Sequence, residues 1–113
     1  MNLTIMPLKK GNMMVADDYS VYSVVAGSRI LIPAGFVFDG ASIPDAFHWI
    51  IDPSEDMIEA SCVHDYLYTF HLYSRKTADR IFKELLEDKG LSRWKVFLSY
   101  RAVRIFGQRH WEK

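Results

Sequence analysis

Cysteine is almost missing from this 113-residue chain: Cys62 is the only one. An intrachain disulfide is therefore excluded, and with it the small secreted domain held together by several bridges. Net charge is missing too. Fourteen basic residues offset fourteen acidic ones, so no overall field draws in nucleic acid or an anionic membrane. No apolar run approaches the roughly 20 residues of a membrane span. The opening "MNLTIMPLKK" lacks the charged start and long apolar stretch of an export signal, which gives the expectation of a soluble protein in a reducing compartment. Repeats, low-complexity tracts and linkers are also absent.

Half of the residues are hydrophobic and 14% are aromatic, enough for a substantial core in a single domain over 1–113. Residues 1–38 are rich in Val, Ile and Tyr. "SVYSVVAGSRILIPAGFVF" reads as two strands with a turn at Ala26-Gly27-Ser28, followed by a second turn at Pro33-Ala34-Gly35. "NMMV" suits a further strand. From residue 56 the period becomes helical. In "SRKTADRIFKELLEDKG", Ser74 can cap, Gly90 can terminate, and Ala78, Ile81, Phe82, Leu85 and Leu86 recur at helical spacing. A helix from Asp56 to about Phe70 precedes it, and one from Ser92 to Phe106 follows. The expectation is an α+β fold: an N-terminal antiparallel β-meander, then about three helices over 56–107.

Helical arithmetic picks out the residues able to carry chemistry. On the second helix Lys76, Arg80, Lys83, Glu84 and Glu87 share the polar side, whereas Arg75 and Asp79 fall towards the apolar side and lie four apart. A carboxylate at an apolar face needs partners, because burying an unpaired charge is costly. On the first helix His64 shares a face with Met57, Ala60, Leu67 and His71, with Tyr68 close to the same stripe. A histidine facing inward beside an inward aspartate makes a base and its orienter geometrically possible. Each piece also has a plainer reading: a satisfied core histidine, and a structural ion pair between Arg75 and Asp79.

Upstream, Asp39-Gly40-Ala41-Ser42 makes a tight turn before Pro44. A hard cation such as Ca²⁺ takes about six to eight oxygens from carboxylates, carbonyls and water. Asp39, nearby carbonyls and Asp65 could supply part of that set. Near the C-terminus Arg93, Lys95, Arg101, Arg104 and Arg109 interleave with Trp94, Phe97 and Trp111. Without a recognised nucleic-acid motif this stretch reads as a helix with solvated cations, so nucleic acid is an unlikely partner.

Two resemblances emerge from these segments. "PAGFVFDGASIP", "HDYLY" and "RKTADRIF" resemble a domain-of-unknown-function family of tailed phages and prophages, over most of the chain. That resemblance implies a location in the host cytoplasm or a virion. More distantly, "DGASIPDAF", "ASCVHDYLY" and "RKTADRIFKELL" are similar to the core of bacterial and fungal phospholipase A2. This second likeness implies His64 as the general base, Asp79 and Tyr68 as its supports, and Asp39 and Asp65 as calcium ligands, with Ser42 and Arg75 as further site candidates. Ala41 stands where those enzymes carry a cysteine in the loop. The functions implied are a calcium-dependent lipid ester hydrolase acting on phospholipid, or a non-enzymatic phage protein that binds a phage or host partner through a fold braced by the same cluster.

Overall fold

The computed structural model describes residues 3–39 and 55–112. Five short strands come first: β1 (Ile5–Pro7), β2 (Asn12–Val15), β3 (Tyr19–Ser23), β4 (Ser28–Ile32) and β5 (Val37–Asp39). Among the described residues after them lie the α-helices α1 (Glu55–Phe70), α2 (Arg75–Asp88), α3 (Arg93–Phe106) and the single turn α4 (Gln108–Trp111). The α+β order anticipated from the sequence is the one observed.

The strands divide between two antiparallel sheets. One has the order β1-β2-β5, and the other is the β3-β4 hairpin. β5 pairs with β2 through Asn12–Asp39, Met13–Phe38 and Met14–Val37, so the hairpin is inserted between two strands that are neighbours in space. In the hairpin Tyr19 faces Ile32 and Val21 faces Ile30. Strand alternation then sends Tyr19, Ile30 and Ile32 inward while Tyr22 and Leu31 stay exposed.

The helices form for local reasons that the chain states clearly. Ser74 caps α2 by accepting from the Thr77 backbone N–H, and Gly90, at φ 81°, supplies the left-handed residue that ends it. Ser92 stands at the N-cap of α3 without a side-chain cap bond. α2 turns Ala78, Ile81, Phe82, Leu85 and Leu86 into the core, where they meet Val63 and Leu67 of α1, Val96 of α3 and Val15, Ile30 and Ile32 of the strands. A fully buried phenylalanine such as Phe82 contributes about 3–5 kcal/mol by the measure of truncation to alanine. β5 packs against α1, which carries the strand leading into the acidic turn onto the histidine helix. No helix among the described residues is long and apolar enough to cross a membrane.

One detail of the helical arithmetic is corrected. α1 ends at Phe70, and His71 follows with φ 50°. It is exposed, not on the inward face with His64. Its ring stacks on Trp111 at 3.7 Å between centroids, and its Nε2 lies 2.9 Å from the Trp111 carbonyl.

Candidate active site

Asp79 is the centre of the polar interior. It sits in the second turn of α2 with 0% of its surface exposed, and four side chains converge on it. His64 Nε2 lies 2.6 Å from Oδ1, and the Tyr68 hydroxyl donates to the same oxygen at 2.5 Å. Arg104 Nη1 donates to Oδ2 at 2.8 Å, and Arg75 Nη1 stands 3.6 Å from that oxygen. The i, i+4 spacing that puts His64 and Tyr68 on one face of α1 also puts Arg75 and Asp79 on one face of α2. Antiparallel packing of the two helices then brings the faces together.

Burial by itself would raise the Asp79 pKa. The hydrogen bonds from His64 and Tyr68, the His64 charge and the Arg104 bond outweigh it and hold the carboxyl below its ordinary 3.8. An ionised carboxylate only accepts hydrogen bonds. Both short contacts to Oδ1 are therefore donations, from Tyr68 O–H and from His64 Nε2–H. In its neutral form the imidazole carries its proton on Nε2 and its lone pair on Nδ1, the arrangement a general base uses. Burial, and next the bond to Asp79, drive the Tyr68 pKa upward, with Arg75 as the smaller opposing influence. Tyr68 thus stays protonated, a fixed donor.

The surroundings hold this geometry rigid. The His64 ring packs at 4.2 Å from Tyr68 and 4.9 Å from Phe82 between centroids. Trp111 of α4 meets Tyr68 edge-on at 5.2 Å. Arg75 reaches past Tyr68 to the α3 carbonyls of Val103 at 3.2 Å and Arg104 at 3.0 Å, so a cation completes the carbonyl end of that helix. Gly107 allows this approach. A β-carbon there would lie 2.7 Å from the Tyr68 hydroxyl and 3.1 Å from Arg75 Nη1, and would press on the Val103 carbonyl.

Of the residues singled out from the sequence, His64, Tyr68, Arg75 and Asp79 are brought together. Asp65 follows His64 directly on α1. It is half-buried on α1, and it contributes, after burial, to pushing the Cys62 thiol up to about 12. Asp39 is placed as the last residue of β5, its side chain lying outside the described residues. Ser42 and the rest of the turn, including Gly40, Ala41 and Pro44, lie outside them as well. Among the described residues no three His, Cys, Asp or Glu side chains gather as a cation site. Two participants escaped sequence reasoning. Arg104 reads from the sequence as one more cation of a solvated helix, and Gly107 carries no signal there.

No curated protein and no solved structure matches the chain. The model of the family described as "Protein of unknown function (DUF1353)" matches residues 13–103, a span that contains His64, Tyr68, Arg75 and Asp79 and stops one residue short of Arg104. The chain belongs to that family.

Proposed function

We propose that this member of the DUF1353 family is a phospholipase A2-like ester hydrolase in which His64 removes a proton from the attacking water. The observation that carries the reading is the 2.6 Å contact of His64 Nε2 with buried Asp79, a carboxylate also held by Tyr68, Arg104 and Arg75; when Asp79 is ionised, Nε2 donates and Nδ1 is the basic nitrogen. As the imidazole takes up the proton, the buried carboxylate stabilises its charge without reorganising. Such a positioned base contributes about 10²–10⁴ in rate. Phe82 and Tyr68 restrict the ring to one orientation. The cofactor of this reading is calcium, for which Asp39 and Asp65 would be the carboxylate donors. Its chemistry when bound would be polarisation of the ester carbonyl. The motif likeness to tailed-phage proteins adds the proposal that the substrate is a host membrane phospholipid.

Release of fatty acid from phosphatidylcholine, phosphatidylethanolamine and phosphatidylglycerol, with and without calcium, tests this. His64→Asn should lower turnover at least 100-fold while the protein still melts cooperatively, and calcium should raise the wild-type Tm. Absence of turnover on every lipid, combined with melting indifferent to calcium, would sink the proposal.

A second reading rests on the same carboxylate. Asp79 receives donors from α1, α2 and α3 together, which is also what a buried brace between helices looks like. In that reading the protein is a non-enzymatic phage virion, tail or host-interaction component. Its mark would be recovery of the protein in purified particles or on a host protein, with His64→Asn silent in both.

A further inference from the structure

The charge of this net-neutral chain is unevenly spread. From Lys89 to Trp111 it carries Lys89, Arg93, Lys95, Arg101, Arg104 and Arg109 and not one Asp or Glu. Within this stretch α3 buries Val96, Ser99, Ala102 and Val103 against the body and turns its opposite face outward. That outer face is not polar. Trp94 is 53% exposed, Phe97 59% and Ile105 58%, and at 100° per residue they form a single stripe roughly 16 Å long with exposed Arg101 among them. Arg93 borders the stripe and is exposed, and Lys95 lies 5.7 Å over the Trp94 ring. A cleft of about 400 Å³ opens beside Phe97, with Lys83, Arg93 and Tyr100 in its walls and Glu87 as the one carboxylate there.

We infer that the outer face of α3 docks the protein onto an anionic phospholipid surface. Exposed Trp, Phe and Ile in one helical stripe, flanked by arginines and free of acids, match the demands of the headgroup boundary: aromatic and aliphatic groups enter the acyl edge while cations meet lipid phosphates. A second copy is a poor occupant, because a two-fold contact would set each set of arginines against the same set in its partner. Duplex nucleic acid would take up the cations and leave Phe97 and Ile105 facing phosphate or water. This inference rests on α3 alone and does not require His64 to be catalytic.

Co-sedimentation of the full chain with vesicles of phosphatidylcholine, pure or containing one-third phosphatidylglycerol, is the test. Binding should be at least ~10-fold tighter to the anionic vesicles and should weaken as salt rises. Arg93→Gln and Arg101→Gln, both at exposed positions, should each weaken it about fivefold, and Trp94→Ser with Phe97→Ser should abolish it. His64→Asn should bind as the wild type does, which separates this result from failure of the hydrolase reading. Equal binding to neutral and anionic vesicles would overturn the inference. So would tight, salt-dependent binding to DNA without vesicle binding, or a lipid-free dimer that Phe97→Ser dissociates.

Discussion

Asp79 and Glu84 stand little more than one turn apart on α2, and each anchors a polar junction, yet the two junctions are built differently. Glu84 reaches the β3-β4 hairpin, accepting from the Ser23 hydroxyl at 2.6 Å and the Val24 backbone N–H at 2.7 Å. Its donors are neutral, and its carboxylate is only half-buried. That arrangement closes a turn: Ser23 in turn accepts from the Ala26 N–H. Asp79 is fully buried and is met by an imidazole, a phenol and two guanidiniums. A turn needs no titratable group to close it. The contrast is in composition: the Asp79 junction gathers titratable and charged groups on one buried carboxylate, and the proposed activity rests on that gathering.

The largest effect that would sharpen the comparison is Asp79→Ala. It removes the buried acceptor shared by His64, Tyr68, Arg75 and Arg104 and should cost about 3–5 kcal/mol in urea unfolding. Glu84→Ala removes hydrogen bonds that water can partly replace, and should cost about 2 kcal/mol with turnover unchanged. A loss at Glu84 equal to that at Asp79 would erase the distinction drawn here.

Gly107→Ala approaches the same centre from behind. The added methyl must displace the Val103 carbonyl and the Tyr68 hydroxyl and crowd the Arg75 guanidinium, costing about 1–3 kcal/mol, and turnover should fall although no titratable group has been changed. The smallest effect lies in the pH dependence. Because the Asp79 pKa is held below 3.8, its contribution is fully present above the unfolded carboxylate range of about 4 and is lost as pH falls through the folded value. Melting followed from pH 6 to pH 2 should show that acid-side decline in the wild type and in Glu84→Ala. In Asp79→Asn that part of the decline should be missing.

Much of this centre was legible before any coordinates. His64, Tyr68, Arg75 and Asp79 lie within sixteen residues on two consecutive helices, so periodicity alone assigns each pair to a face. The caps at Ser74 and Gly90 were legible for the same reason, since they follow from bonds between near neighbours. Arg104 was not, because its partner lies twenty-five residues away and its own helix face is only half-buried. Gly107 was hidden because its role is steric: its backbone, at φ −76°, is one any residue could adopt, and the need for glycine comes from the Val103 carbonyl, Tyr68 and Arg75. The pairing of β5 with β2 and the Glu84 link to the hairpin also span distant segments, where local pattern carries no register.

The sequence by itself determined the order of strands and helices, the inward direction of His64 and Asp79, and the concentration of cations after Asp88, all of which follow from spacing along one element. Tertiary structure alone decided that these groups share one carboxylate, that Arg104 supplies the second guanidinium, and that the outer side of α3 is left apolar. The physical reason is range: helical periodicity is set by bonds a turn long, whereas ion pairs and exposed faces depend on which helices pack together and at what angle.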